Sequence, residues 1–255
     1  MTAYAKVNAA RSKGRLTAVD YIKNIFTDFY EMHGDRRFGD DRAVVTGVAY
    51  LESMPVTVIA TEKGKNVKER AARNSGSAHP EGYRKALRQM KLAEKFGRPV
   101  VCFVDTPGAY CGVGAEERGQ GQAIAEILLE VSALKTPVVS VHIGEGGSGG
   151  ALALSLADEV WMLENAVYSV ISPEGCASIL WKDPSRVKEA SECLKLTAED
   201  LIQLGIIEKI IPETDDVCAV IKNLLTDALV KYKNMDIDAL VGNRYGRFRK
   251  IGALS

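Results

Sequence analysis

From His142 to Glu164 the sequence reads HIGEGGSGGALALSLADEVWMLE, and two functional patterns overlap within it. Gly146-Gly147-Ser148-Gly149-Gly150 fits G-x-S-x-G, the sharp strand-to-helix turn that exposes a nucleophilic serine. Gly144 to Gly149 fit G-x-G-x-x-G, the glycine fingerprint of dinucleotide-binding folds. Glu164 follows about 20 residues on, where such folds place a ribose-binding acid. A third chemistry needs no side chain. The first amides of a helix have no acceptor within it and sit at the positive end of its dipole. Glycines there lack a β-carbon, so a ligand oxygen can come close. Two such amides, on Gly149 and Gly150, would form an oxyanion hole that stabilises charge developing on a carbonyl or enolate.

The rest of the chain weighs on this choice. A hydrolase triad needs a histidine base. His33, His79 and His142 all precede Ser148, so the order serine, acid, histidine of the α/β-hydrolases is not met. His142 reads as a packed strand residue. The dinucleotide pattern has its strand and helix, but such a unit usually opens its domain, and here a similar unit already precedes it. Its helix, Ala151 to Ala157, is also short for a Rossmann crossover. The amide reading is favoured, with Pro107-Gly108-Ala109 lining the same or a neighbouring pocket. Glycines that serve only tight strand–helix packing are the plain alternative. Five glycines within the seven residues Gly144 to Gly150 count against it.

These loops must be carried by a scaffold, and the scaffold announces itself as a near repeat. Arg98-Pro99-Val100-Val101-Cys102-Phe103-Val104 resembles Thr136-Pro137-Val138-Val139-Ser140-Val141-His142 at an offset of 38 residues. Each is a short apolar run of the kind a buried parallel strand shows, followed by a glycine-bearing loop and then a helical stretch. The helices are AEERGQGQAIAEILLEVSAL in one copy and GGALALSLA in the other. A third unit has strands at EVWML and AVYSVIS and a helix opening at Pro173. Strand–loop–helix repetition predicts an α/β fold of parallel strands. Upstream, the spacing of Val19, Ile22, Ile25, Phe26 and Phe29 predicts a helix over about 17–32 with Thr17 as its cap. DRAVVTGVAYL and PVTVIATEKG predict two strands joined near Glu52, and PEGYRKALRQMKLAEKFG a helix that opens at Pro80 and stops at Gly97. Downstream lie a short helix pair, a last strand from Ile206 to Ile211, and a helical tail over about 215–255 with a basic, aromatic end. No low-complexity linker divides the chain, which predicts one domain over 1–255.

Composition narrows the function classes. Lys+Arg and Asp+Glu both number 33, a formal net charge of zero, which argues against nucleic-acid binding by bulk charge. The five cysteines, Cys102, Cys111, Cys176, Cys193 and Cys218, form no C-x-x-C pair, so neither a zinc ribbon nor a disulfide framework is expected. The N-terminal stretch has no apolar core of a signal peptide, and no apolar run approaches the ~18 residues of a membrane span. A cytoplasmic protein with no membrane contact is expected. The run Lys63, Lys65, Lys68, Arg70, Arg73 is a candidate for phosphates or an acidic partner surface, or a solvated face. Glu116-Glu117-Arg118 reads as a subunit contact or as ordinary helix surface.

PEGYRKALR, DTPGAY…GVGAEERGQ, IGEGGSGGALAL and VYSVISPEGCASILW, in this order, resemble the carboxyltransferase α-subunit family of bacterial acetyl-CoA carboxylases, over roughly Leu16 to Glu213. The resemblance implies a crotonase-like fold, a spiral of ββα units, flanked here by terminal helices. It implies transfer of a carboxyl group from carboxybiotin, held on the biotin carboxyl carrier protein, to acetyl-CoA, giving malonyl-CoA for fatty-acid biosynthesis. The expected partners are a homologous β subunit in an α2β2 heterotetramer, the carrier protein, and biotin carboxylase, which brings ATP to the complex. Zinc is expected on the β subunit and no metal on this chain. Carried onto this sequence, the oxyanion hole falls on the amides of Gly149 and Gly150, with Gly108, Ala109, Tyr110, Gly146, Gly147, Tyr83 and Arg84 as candidate substrate-binding residues. Three features depart from the family. A long N-terminal helical extension of many relatives is not seen. Ser75 and Ser77 stand where phenylalanine and methionine are usual, and Cys111 where proline is. No histidine neighbours Cys111 in sequence, so a nucleophilic role for it is not expected. The alternatives are a subunit of another biotin-dependent acyl-CoA carboxylase or decarboxylase, or a non-catalytic crotonase-like assembly subunit.

Overall fold

The two Pro-Val-Val runs lie side by side as parallel strands, paired at the offset that their sequences share: Val100 faces Val138, Val101 faces Val139 and Phe103 faces Val141. The computed structural model describes residues 1–252. Around this central pair the chain builds one sheet with helices packed against it.

Helix α1 (Ala3–Ala10) is capped by Thr2, whose hydroxyl accepts from the Ala5 amide. Helix α2 (Ala18–Ile25) begins at Thr17, which with Asp20 forms a capping box. The helix expected over 17–32 stops at Ile25, and Thr27–Glu31 is instead strand β1, antiparallel to β2 (Val44–Leu51). Phe26 and Phe29 fit a helical face and a strand equally. The unpaired edge of β2 decides, because it satisfies backbone groups that a longer helix would carry away from the core. Phe26 then sets its ring edge against Phe103, with centroids 6.2 Å apart.

Strand β3 (Met54–Thr61) pairs antiparallel with β2 along its length and parallel with β4 (Val100–Thr106). Between β3 and β4 come the short helix α3 (Val67–Ala72), inside the basic loop, and α4 (Pro80–Lys95), with proline in its first turn as the sequence predicts. The single helix expected after the Pro107 loop is two, α5 (Val113–Glu117) and α6 (Gln120–Ser132). Gly119 at φ +81° takes a left-handed conformation that breaks them apart.

Strand β5 (Val138–Gly147) leads directly into α7 (Ser148–Ser155), followed by β6 (Glu159–Leu163) and β7 (Val167–Ser169). Then come α8 (Pro173–Trp181), α9 (Val187–Cys193), α10 (Ala198–Gln203) and β8 (Lys209–Ile211). The strands expected over AVYSVIS and Ile206–Ile211 shrink to Val167–Ser169 and Lys209–Ile211. The sheet order is β1-β2-β3-β4-β5-β6-β8, parallel from β3 onward. Strand β5 serves two further partners: Val139–His142 pair with β6, whereas Glu145–Gly147 pair with β7. Every residue of β4, β5 and β6 is buried, as expected for parallel strands covered on both faces.

The tail expected over 215–255 is the helix α11 (Val217–Lys233) and then α12 (Ile237–Lys250); residues 253–255 lie outside the described residues. The basic end of the sequence is not uniformly solvated. Arg244 is buried, and its guanidinium grips Asp158 through Nε at 2.9 Å and Nη2 at 2.8 Å. It also donates to the carbonyls of Val131, Leu134 and Thr136. Asp158 in turn accepts from the Val138 amide at the start of β5. One arginine therefore fastens the C-terminal helix to the crossover between α6 and β5. Arg244→Ala would strand a buried carboxylate and three carbonyls, and is expected to cost about 3–5 kcal/mol. Urea unfolding measures this; an unchanged midpoint would show that the clamp adds nothing to stability.

Candidate active site

Parallel pairing of β4 and β5 brings the loops that follow them to the same end of the sheet, and there the backbones touch. A β-carbon on Gly147 would lie 2.1 Å from the Pro107 carbonyl oxygen. One on Gly150 would lie 2.5 Å from the Ala109 amide nitrogen and 2.8 Å from the Tyr83 hydroxyl. Gly108 reaches this contact at φ +142°, a conformation that favours glycine. Gly144 and Gly146 are held as tightly, against the Asp105 carboxylate and the His142 ring. Four of the five glycines therefore have a packing reason to be glycine. Gly149 does not: a β-carbon there meets only Ile124, at an ordinary 3.7 Å.

Helix α7 begins in the middle of this contact. No side chain caps it among the described residues, so its first amides face the cleft with the dipole behind them. Ser148 is exposed, Gly149 half-buried and Gly150 buried, so the helix start is a graded floor. Beside Gly149 a groove of about 530 Å³ runs past Leu152, Tyr168, Val170 and Phe248.

The candidate residues divide in two. Gly108, Ala109, Gly146, Gly147, Gly149, Gly150 and Tyr83 come together at the start of α7. The Tyr83 hydroxyl is buried without a hydrogen-bond partner, and burial pushes its pKa up, so it is a neutral donor facing Gly150. Tyr110 turns aside to stack on His79, with ring centroids 4.2 Å apart. Arg84 points away from the glycines. Its guanidinium donates to the Arg118 carbonyl and lines a separate basic cavity with Arg88 and Lys91. Ser75, in the basic loop, has φ +52° and lines a charged cavity beside Pro107, while Cys111 is exposed.

Ser148 has no base. His142 lies beneath the helix, fully buried and stacked on Tyr168. Its Nε2 donates 2.8 Å to the Ser155 hydroxyl, which itself donates to the Ala151 carbonyl. Burial pushes the imidazole pKa down to about 3, so the ring is neutral at pH 7. Ser148 does share one property with a nucleophile elbow, a left-handed φ of +52°.

The residue that the sequence reading passed over is Glu145, inside the glycine run. Its amide donates to Asp105 at 2.8 Å, and Lys63 bridges the two carboxylates, 2.6 Å from Asp105 and 3.4 Å from Glu145. Arg11, from the end of α1, closes on Glu145 at 2.6 Å and on Glu174 at 2.7 Å. Burial works against ionisation of Glu145, but Arg11 and Lys63 outweigh it and hold its pKa below the usual carboxylate range. The loops of β4 and β5 are thus tied by charge as well as by van der Waals contact. Lys63, a member of the basic run, is consumed in the tie. Only its spacing from the acid-bearing loops, invisible before folding, marked it out. Among the described residues no group of three His, Cys, Asp or Glu side chains is placed to hold a metal ion, and no helix is long and apolar enough to cross a membrane.

Comparison with known proteins places the chain in a family. Residues 1–252 match the family model described as acetyl co-enzyme A carboxylase carboxyltransferase-like. The chain is 64% identical to the acetyl-coenzyme A carboxylase carboxyl transferase subunit alpha of Ruminiclostridium cellulolyticum, with all of both chains covered. It is 56% identical to the protein of the same name from Streptococcus equi subsp. equi, over 98% of this chain and all of that one. Among solved structures it resembles transcarboxylase 12S, with a TM-score of 0.75 at 22% identity, over 90% of this chain and 44% of that one. The chain therefore spans less than half of that transcarboxylase chain. It also resembles a Pseudomonas malonate decarboxylase hetero-tetramer, with a TM-score of 0.66 at 20% identity, over 84% of this chain and 88% of that one. At those identities the likeness is one of fold, and the fold is the crotonase-like α/β fold.

The buried imidazole sets a pH dependence. His142 stays neutral in the folded state down to about pH 3, whereas in the unfolded chain it takes up a proton near pH 6.5. Its contribution is fully present above pH 6.5 and is lost as pH falls, by about 1.4 kcal/mol per pH unit. His142→Asn is expected to flatten the slope of unfolding free energy against pH between 6 and 4 by close to one proton. An unchanged slope would mean that His142 is protonated in the fold.

Proposed function

The chain belongs to the carboxyltransferase α-subunit family of acetyl-CoA carboxylase and is a transferase subunit; on that premise we propose that its α7 amides receive the biotin side of the reaction. The observation that carries this reading is the start of α7, where amides without a cap lie against the Ala109 amide with no side chain between them. In this reading the chain works with a β subunit in an α2β2 assembly, receives carboxybiotin from the carrier protein charged by biotin carboxylase, and passes a carboxyl group to acetyl-CoA bound on β. We read residues 1–255 as a single domain and its setting as the cytoplasm.

The residues at the start of α7 fit such a group. The groove reaches Gly149, whose amide side is open, and the unpartnered Tyr83 hydroxyl lies behind it against Gly150 as a further donor. Carboxybiotin supplies a carboxyl group on a ring nitrogen, and its release leaves negative charge on the ureido oxygen. The amides of Gly149 and Gly150 would hold that oxygen, already oriented by the helix, so no donor reorganises as charge develops. The α7 dipole adds to the same effect. No side-chain nucleophile takes part, which agrees with the neutral, buried His142. The exposed Val170, which lines the groove beside Gly149, supports a partner docked over the cleft.

The packing roles of the glycines make the choice of variant matter. Gly150→Ala drives a methyl group against the Ala109 amide and pries the two loops apart. Mixed with the β subunit, it is expected to lose on the order of 10²–10³ in malonyl-CoA formation. Gly149→Ala meets only Ile124 and is expected to fold and to assemble with β. Ser148→Ala is expected to keep most of its activity. Full activity in Gly150→Ala would remove the oxyanion assignment, and near-total loss in a folded Ser148→Ala would restore the serine as a nucleophile.

A further inference from the structure

A second cavity, of about 450 Å³, opens between the Gly34–Gly39 loop and helices α4 and α6, and its chemistry is unlike that of the glycine cleft. Its lining carries six cations, Arg36, Arg37, Arg84, Arg88, Lys91 and Lys95, against two carboxylates, Asp35 and Glu126. One carboxylate is committed in full and the other in part. Glu126 takes Arg37 with both oxygens, at 3.0 and 2.8 Å. One oxygen of Asp35 accepts the amides of Arg37, Phe38 and Gly39 and so shapes the loop. The other is buried without a hydrogen bond, with Arg84 3.9 Å away. Lys91 pairs outside the cavity with Glu130.

That leaves Arg36, Arg88 and Lys95 with no carboxylate within salt-bridge distance among the described residues. The two arginines are also held together. Arg36 Nη1 and Arg88 Nη2 each donate 3.0 Å to the same acceptor, the His33 carbonyl, and Arg88 Nε donates to the Gly34 carbonyl. With its amide oriented as the network requires, Gln89 turns its oxygen to Arg88 as well. Every acceptor of this pair is neutral. Arg88 lies below the usual guanidinium range through burial and then through the charge of Arg36. Two guanidiniums share one carbonyl, and although Asp35 and Asp40 act on Arg88 from beyond ion-pair distance, the lining keeps an excess of positive charge that suits an anion.

We propose that this cavity binds the phosphate group of a small molecule, with Arg36 and Arg88 bridging its oxygens and Lys95 neutralising the remaining charge. The site is separate from the glycine pair, and neither arginine belongs to the machinery assigned to carboxyl transfer. A free inorganic anion and the phosphate end of a nucleotide share this chemistry.

The test is calorimetric titration of the α–β complex, at constant ionic strength, with sodium phosphate, sodium pyrophosphate and adenosine 3′,5′-bisphosphate in turn. Saturable binding of at least one probe is expected in the wild-type complex. Arg36→Gln/Arg88→Gln is expected to weaken it at least about tenfold, from the loss of two charge-assisted contacts, with malonyl-CoA formation unchanged. Tightest binding of pyrophosphate would assign the site to a free anion; tightest binding of the bisphosphate would assign it to a nucleotide. Arg36→Gln alone, on an exposed loop, carries the test if the double variant fails to fold. No saturable heat from any of the three probes, or equal affinity in the variants, would overturn the proposal.

Discussion

The structure depends on one place where two backbones touch with nothing between them. The Pro107–Ala109 loop and the Gly147–Gly150 turn leave no volume for a β-carbon at Gly147 or Gly150. Once that contact is required, much else follows. Strands β4 and β5 must be neighbours, parallel and in a register that ends both at one level, and helix α7 must begin at once. The glycine that the oxyanion reading needs for access is also needed for packing. Chemistry and architecture are therefore not separable at Gly150, whereas at Gly149 they are.

The contact would be weak if van der Waals forces alone held it. The Asp105–Lys63–Glu145–Arg11 chain links β4, the loop after β3, β5 and the N-terminal helix around the outside of the same junction. Such buried charges give little net stability once their desolvation is counted. Their effect is on geometry, because each partner is unsatisfied in any other register. The Arg244–Asp158 clamp does the same at the opposite end of β5, through the Val138 amide. The strand that delivers the candidate amides is thus fixed by ion pairs at both ends.

Much of this was legible before folding. The 38-residue offset between the Pro-Val-Val runs is the register of β4 on β5 from Val100 to Val104, before a bulge shifts Thr106 onto Gly146. The glycine-rich segments and the opening of α4 at Pro80 also lie where local chemistry puts them. What was hidden depends on partners distant in sequence. Thr27–Glu31 is a strand because β2 offers an edge, which no local periodicity reports. Arg244 looks like one more cation of a basic tail until Asp158 and three carbonyls, about a hundred residues upstream, close on it. Arg84 follows Tyr83 in sequence, yet one helical step turns it from the glycine cleft to the basic cavity.

The double pairing of β5 has a consequence for how a ligand enters. Because its first half is bonded to β6 and its last residues to β7, the sheet forks beside Ile143 and Gly144. The groove beside Gly149 lies against residues of β6 and β7, Val160 and Tyr168 among them. One wall of this entrance is therefore rigid, its edge set by hydrogen-bond ladders, while the facing wall is made of side chains from α10 and α12, Leu201 and Phe248 among them. A ligand entering there would meet one fixed edge and one wall of side chains.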